Sequence, residues 1–285
     1  LKCKIKNIDI NYEIIGEGIP VLMIHGYYAD LRLMKGCMEP IFEKKSGYKR
    51  IYFDLPGMGS SGFLNFVDSS DAILDVVIEF IKNIIKDENF LLVGESYGGY
   101  ISLGLVHKLR KNIDGMLLIC PCIEPILEKR KVPSHIVLKR NFKLLAKLSP
   151  SEFKNIECNM VVQDEHMWTR YKKEVLSGVE LYNREALQSI KEKSYQYSFS
   201  IKNMEDKFEK PTMFLLGRQD SVVGYKDSFS ILDNFPRATF TILDRAGHNL
   251  QIEQEKLFNT LCNQWLSIIE NEKPVSSNVI YDLAK

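Results

Sequence analysis

Short apolar runs alternate along this chain with longer stretches in which apolar positions recur every three or four residues. The first kind reads as buried strand, the second as one face of a helix. Residues 2–6 and 9–15 alternate around Asn7, which predicts an antiparallel hairpin at a sheet edge. Gly16 to Gly18 turns the chain into an apolar run at 20–24. A helix-compatible stretch follows at 30–45, then a strand at 48–53. Ser69-Ser70-Asp71 supplies an N-cap for a helix reaching about Lys86, with apolar residues at 73, 74, 77, 78, 81, 84 and 85. A strand at 90–94 leads through a short turn into a helical pattern (Ile101, Leu103, Leu105, Val106, Leu109), and 113–120 is again strand. Strand and helix in alternation predict a mostly parallel sheet covered on both faces.

Between residues 121 and 203 the rhythm changes. No clean strand stands out, helices are expected around 134–148, 164–176 and 183–196, and aromatics are frequent (Phe142, Phe153, Trp168, Tyr171, Tyr182, Tyr195). This predicts a helical lid placed on the sheet. Alternation then resumes, with strands at 212–216 and 238–243 and helices at 227–234 and 250–270. The chain therefore divides into a core of residues 1–120 and 204–272, a lid of 121–203, and a turn-rich tail of 273–285.

Composition narrows this little. With 285 residues, 45% hydrophobic and 26% charged, the chain is long enough for a sizeable core. A net charge of +1 with interspersed signs argues against nucleic acid or an anionic membrane as partner, and Lys129-Arg130-Lys131 reads as a solvated helix end. Six scattered cysteines suit a reduced, cytoplasmic protein, and Cys120-Pro121-Cys122 has neither thioredoxin nor zinc spacing, so no metal or cofactor is expected. The start has no charged head followed by an apolar stretch, so no leader is expected.

The chemistry concentrates at Gly94-Glu95-Ser96-Tyr97-Gly98, where a serine sits on a strand-to-helix turn between small residues. A serine hydroxyl needs a base, an orienting acid and an oxyanion site. His248, on a loop behind Gly247 after the last strand, is the candidate base. Asp220, just past the strand at 212–216, is the candidate acid, with Glu124 as its rival. In a parallel sheet both would emerge on the same carboxyl edge as Ser96. The oxyanion donors expected are the backbone N–H groups of Tyr97 and Tyr27, and His25 is expected to brace the loop beside them.

These stretches, with Asp54-Leu-Pro-Gly-Met-Gly-Ser-Ser61, Gly217-Arg-Gln-Asp220 and Gly247-His248 followed by Glu253, resemble the lidded serine esterase-like branch of the α/β-hydrolase superfamily, in order and across nearly the whole chain. The resemblance implies a Ser-His-Asp triad acting on a small-molecule ester. Epoxide hydrolases and haloalkane dehalogenases carry Asp where this chain has Ser96. Meta-cleavage-product hydrolases usually carry a Gly-rich stretch where this chain has Tyr27-Tyr28. C–C hydrolysis, other acyl transfer, or ligand sensing with a slow triad stand as alternatives. Tyr28, Trp168, Tyr171 and Val222 are the candidate pocket residues.

Overall fold

The computed structural model describes residues 1–272; the expected tail at 273–285 lies outside them. Eight strands form one sheet: β1 (Lys2–Ile5), β2 (Ile8–Ile15), β3 (Ile19–Ile24), β4 (Tyr48–Phe53), β5 (Phe90–Glu95), β6 (Ile113–Ile119), β7 (Thr212–Gly217) and β8 (Ala238–Leu243), in the order β1-β2-β4-β3-β5-β6-β7-β8. β1 and β2 are the expected antiparallel hairpin, turned by Lys6 and Asn7 at φ +45° and +69°. β2 runs antiparallel to β4, and from β4 to β8 every pairing is parallel. β5 and β7 are buried along their whole length, as strands covered on both faces must be, whereas edge strand β8 is only half-buried.

The sheet is flanked by α1 (Leu31–Phe42), α2 (Ser70–Ile84), α3 (Tyr97–Leu109) and a pair at the end of the described chain. Ser69 caps α2 as the sequence predicts, its hydroxyl accepting from the Ala72 N–H. Chain order reverses between β3 and β5, since β3 is followed by β4 on one side and β5 lies on the other. Open α/β sheets form a crevice at such a switch point, outside the carboxyl ends of the strands. Residues 25–28 and Ser96 leave β3 and β5 at that place.

Between β6 and β7 lie α4 (Phe142–Leu145), α5 (Pro150–Asn159), α6 (Glu165–Tyr171) continued through a wide π-type turn into α7 (Ser177–Val179), and α8 (Arg184–Lys193). The helix expected at 134–148 shrinks to the single turn of α4. Its upstream backbone bonds elsewhere: Leu138 N–H donates to Val161 O (2.8 Å) and Gln163 N–H to Lys139 O (2.8 Å). Helix α5 was not anticipated, although Ser149-Pro150 with Glu152 is a complete capping box. The stretch at 227–234 forms 3₁₀ turns, and the helix expected over 250–270 breaks into α9 (Leu250–Glu253) and α10 (Glu255–Glu272). No helix of the described residues is long and apolar enough to cross a membrane.

Asp54, at the end of β4, is 2% exposed and accepts from Leu31 N–H, Asn11 Nδ2 and Ser60 N–H, each at 2.8 Å. It thereby ties the start of α1 to the sheet. Asp54→Ala leaves these donors without their acceptor and should cost about 2–4 kcal/mol of unfolding free energy, read as a lower urea midpoint. Asp54→Asn, which keeps one acceptor oxygen, should lose less; an unchanged midpoint in the alanine variant would show that water replaces the carboxylate.

Candidate active site

Ser96 begins α3 at φ +53°, ψ −113°, a conformation that side chains normally avoid. Its N–H donates to Ile119 O (2.9 Å) and its carbonyl accepts from Cys122 N–H (2.9 Å), so β6 and the chain after it clamp the turn on both sides. The turn also needs room. A Cβ on Gly98 would stand 2.1 Å from Ile24 O, and one on Gly26 would stand 2.3 Å from Glu95 Oε2, so α3 meets the end of β3 only through glycines.

On the carboxyl edge the chain brings Ser96, His248 and Asp220 together. Ser96 Oγ lies 2.9 Å from His248 Nε2, and His248 Nδ1 lies 2.9 Å from Asp220 Oδ2. Asp220 is fully buried, and its other oxygen accepts from the N–H groups of Val222 (2.8 Å) and Val223 (3.1 Å). Burial pushes this carboxyl up, but the His248 charge and hydrogen bond and the two backbone donors outweigh it and hold it below the usual range. Burial likewise opposes charge on His248, yet Asp220, and then Glu95, hold the imidazole up at about 9. In the neutral ring, Nδ1–H donates to Asp220 and Nε2 is left to take the serine proton.

Glu124, the rival acid, is committed elsewhere: its carboxylate accepts from Ile126 N–H and Lys202 Nζ. His25 is fully buried, with Nε2 accepting from Leu55 N–H (3.0 Å) and Nδ1 donating to Gly26 O (2.8 Å), which pins the residue 25–28 loop to the one after β4. Among the described residues no acceptor takes the N–H of Tyr27 or Tyr97. The Tyr97 ring, which sequence reasoning set aside, is fully buried and bonds Ser70 Oγ through its hydroxyl (2.8 Å).

A cavity of about 260 Å³ opens on Ser96 and His248. Tyr27, Tyr28, Tyr171 and Val222 line it. Trp168 does not. It is 2% exposed and packs with Leu144, Ile156, Met160, Tyr171 and Ile252 in a second, smaller core, so its expected pocket role is corrected to a packing one. At the helical spacing of 168 and 171 only the second residue reaches the cavity as well as this core.

Two carboxylates that the motifs contain receive no role from the sequence alone. Glu95, the last residue of β5, is 3% exposed, with Oε1 3.6 Å from His248 Nε2. Burial pushes it up to about 7 against the opposing pull of His248. The signal for it was a charged residue ending an otherwise apolar strand. Glu253, also 3% exposed, accepts from Gly247 N–H (2.6 Å) through one oxygen and from Val161 (2.5 Å) and Val162 (3.1 Å) N–H groups through the other. It joins the His248 loop to the inserted segment. Cys120, Asp220 and His248 each bring a donor atom within 4.8 Å of the others. Both imidazole nitrogens are already engaged, however, and burial holds the Cys120 thiol well above its ordinary value.

The sequence profile of a family described as "alpha/beta hydrolase fold" matches residues 19–255. Monoacylglycerol lipase abhd6-B of Xenopus laevis is 24% identical over 268 residues, covering 90% of this chain and 77% of its own length. Pimeloyl-[acyl-carrier protein] methyl ester esterase of Legionella pneumophila (strain Corby) is 21% identical, covering 91% of this chain and all of that protein. Abhydrolase domain-containing protein abhd-5.2 of Caenorhabditis elegans matches more locally, at 26% identity over 41% of this chain and 28% of its own length. Among solved structures, an alpha/beta superfamily hydrolase from Oenococcus oeni PSU-1 superposes with a TM-score of 0.85 at 27% identity, covering 95% and 99% of the two chains.

The carboxylate pair around one imidazole has a measurable consequence. An imidazole raised to about 9 contributes charge-pair stability in full below the unfolded value of about 6.5, and loses it as pH climbs through 9. Glu95→Gln removes one negative neighbour, so the His248 titration followed by NMR should move to lower pH. An unmoved titration would mean that Glu95 does not act on the ring.

Proposed function

Since this chain belongs to the alpha/beta hydrolase fold family and is an enzyme of it, we propose that Ser96, His248 and Asp220 are its catalytic triad and that it hydrolyses small to medium carboxylic esters. The continuous hydrogen-bonded line from Ser96 Oγ through both nitrogens of His248 to buried Asp220 carries this reading. The esterase and lipase names of the curated relatives support the bond type.

In this mechanism Ser96 Oγ attacks the ester carbonyl carbon as its proton passes to His248 Nε2. Asp220 balances the imidazolium that forms. The carbonyl oxygen, now an anion, sits between the N–H groups of Tyr27 and Tyr97, the second of them in the first turn of α3 where the helix leaves donors free. Collapse breaks the bond to the alkoxy group, which leaves as the alcohol with the proton from His248. Water then attacks the acyl-enzyme, giving its proton to His248, and expulsion of Ser96 Oγ releases the acid.

Residues 121–203 act as a cap that encloses the acyl pocket. Tyr27 Oη donates to Leu187 O (2.8 Å) and Tyr28 Oη to Gln188 Oε1 (3.1 Å), which supports a cap held directly over the oxyanion loop by α8. Tyr171 and Val175 on the cap and Val222 and Val223 on the core contribute apolar wall. The substrate is a small ester-like molecule, and the chemistry calls on no cofactor.

Ser96→Ala and His248→Ala should each lower kcat on p-nitrophenyl acetate and butyrate by roughly 10⁴–10⁶-fold, and Asp220→Ala by less, roughly 10⁴-fold. Wild-type hydrolysis by Ser96→Ala would remove Ser96 from the mechanism.

A further inference from the structure

The cavity over Ser96 is lined by two side chains with permanent or near-permanent positive charge, Arg130 and Lys191, and by no Asp or Glu. They come from different parts of the chain. Arg130 follows the 3₁₀ turn after β6, and Lys191 is near the end of α8. Neither has a carboxylate within ion-pair distance among the described residues, whereas Lys202 and Arg170 do. On a chain with nearly equal numbers of cations and anions, two uncompensated cations meeting in one cavity call for a reason.

Arg130 is not the solvated helix end that its Lys-Arg-Lys context suggests. It is half-buried, and neutral acceptors hold it: Nε donates to Glu124 O (2.9 Å), Nη1 to Val222 O (3.1 Å), and Nη2 to Cys122 Sγ (3.3 Å) and Pro125 O (3.5 Å). These bonds fix the guanidinium without neutralising it, and at least one Nη1 hydrogen remains available. Lys191, exposed near the end of α8, lies over the ring of Tyr28, 5.1 Å from its centroid, and both side chains line the cavity over Ser96. Burial, and then the charge of Arg130, push Lys191 below its ordinary value, as expected of two cations sharing one space. The same Arg130 charge reaches His248.

The acidic groups near them are otherwise placed. The Glu124 carboxylate is tied to Lys202 and Ile126 N–H. Glu128 and Glu192 line the neighbouring outer cavity, which shares Arg130 and Lys191 as its wall with the cavity over Ser96. Glu192 there accepts from Gln188 Nε2 (2.6 Å).

We propose that Arg130 and Lys191 form an anion-recognising end of the cavity, so that the ester presented to Ser96 carries a negatively charged carboxylate or phosphate group. This rests on the ester-hydrolase reading above and names its substrate class. A fixed planar donor and a mobile ammonium together suit a tetrahedral or planar oxyanion, and a site this small places the anion within a few bonds of the scissile carbonyl. An anion seated there shields the two cations from each other, which gives the charged ester an advantage that an uncharged ester of the same length lacks.

The test compares matched esters at low salt: monomethyl adipate against methyl hexanoate, and butanoylglycerol 3-phosphate against butanoylglycerol. At least one anionic ester should exceed its neutral partner in kcat/KM by about tenfold or more, and the advantage should shrink as salt is added. The pair that discriminates tells whether a carboxylate on the acyl side or a phosphate on the alcohol side is recognised. Lys191→Gln should cut the anionic-to-neutral ratio several-fold and Lys191→Arg should restore it; Arg130→Gln, whose bonds also hold the chain, serves as the second variant. Equal kcat/KM within both pairs, or a ratio untouched by Lys191→Gln, overturns the proposal. If no ester turns over, the ester reading fails separately. The subsite is then read by labelling Ser96 with a fluorophosphonate: adipate or inorganic phosphate should slow labelling of the wild type more than of Lys191→Gln, and equal protection overturns the assignment.

Discussion

The backbone of Ser96 is the constraint from which the rest of the site follows. Holding a non-glycine residue at φ +53° costs on the order of 1–3 kcal/mol, and it persists only because the surroundings fix it. Ile119 and Cys122 take up its N–H and carbonyl, and α3 is drawn so close to β3 that only glycine fits at position 98. The same closeness puts the first turn of α3 beside residues 25–28 and aims the hydroxyl out of the sheet at the switch point. Strand order determines where the serine emerges, and the strained turn determines which way it faces.

Three buried carboxylates then divide the work around His248. Asp220 is stabilised as an anion by two backbone donors and the imidazole itself, so it can orient the ring and balance its charge. Glu95 receives less compensation, and burial brings it to about 7, within reach of a proton. Glu253 is in the same position despite its three backbone N–H donors. A buried carboxylate without a cation is costly, and the imidazole that two of them approach is correspondingly easy to protonate. Arg130 works in the opposite sense on the same ring, so the charge at the cavity wall tempers the basicity that the carboxylates create.

What could be read from the sequence was whatever depends on local pattern. The strand at 212–216 and the helix capped by Ser69 are stated by periodicity and a capping hydroxyl, and strand ends in a parallel sheet place Ser96, Asp220 and His248 on one edge without any contact being known. Failures came where tertiary bonds override the local pattern. The segment at 134–148 reads as one helix, yet Ile136 and Leu138 are exposed and the backbone at 138–139 bonds residues 161 and 163, leaving only the turn of α4. Trp168 and Tyr171 share a helix face, and spacing alone cannot tell a cap core from a cavity wall. Arg130 looked like one cation in a basic surface cluster, because the carbonyls of Glu124 and Val222 that turn it inward are matters of folding rather than of neighbouring sequence.

Among the many bonds that join the inserted segment to the core, two sets beside the site differ in kind. At residues 161–162 its backbone N–H groups bond a buried carboxylate whose other oxygen holds the loop of His248. At α8 two tyrosine hydroxyls bond a carbonyl and an amide oxygen, and the Tyr28 contact is exposed to water. Hydrogen bonds to a charged, buried acceptor are about twice as strong as neutral ones, and breaking them at Glu253 would disturb the His248 loop as well. Neutral bonds that water can replace cost far less to open. The α8 end has further ties besides these hydroxyls: Asn183 N–H donates to Gly57 O (2.8 Å), Ser70 N–H to Ser194 O (3.0 Å) and Ser70 Oγ to Tyr195 O (2.7 Å), so the segment is bonded to the core on both flanks of the cavity.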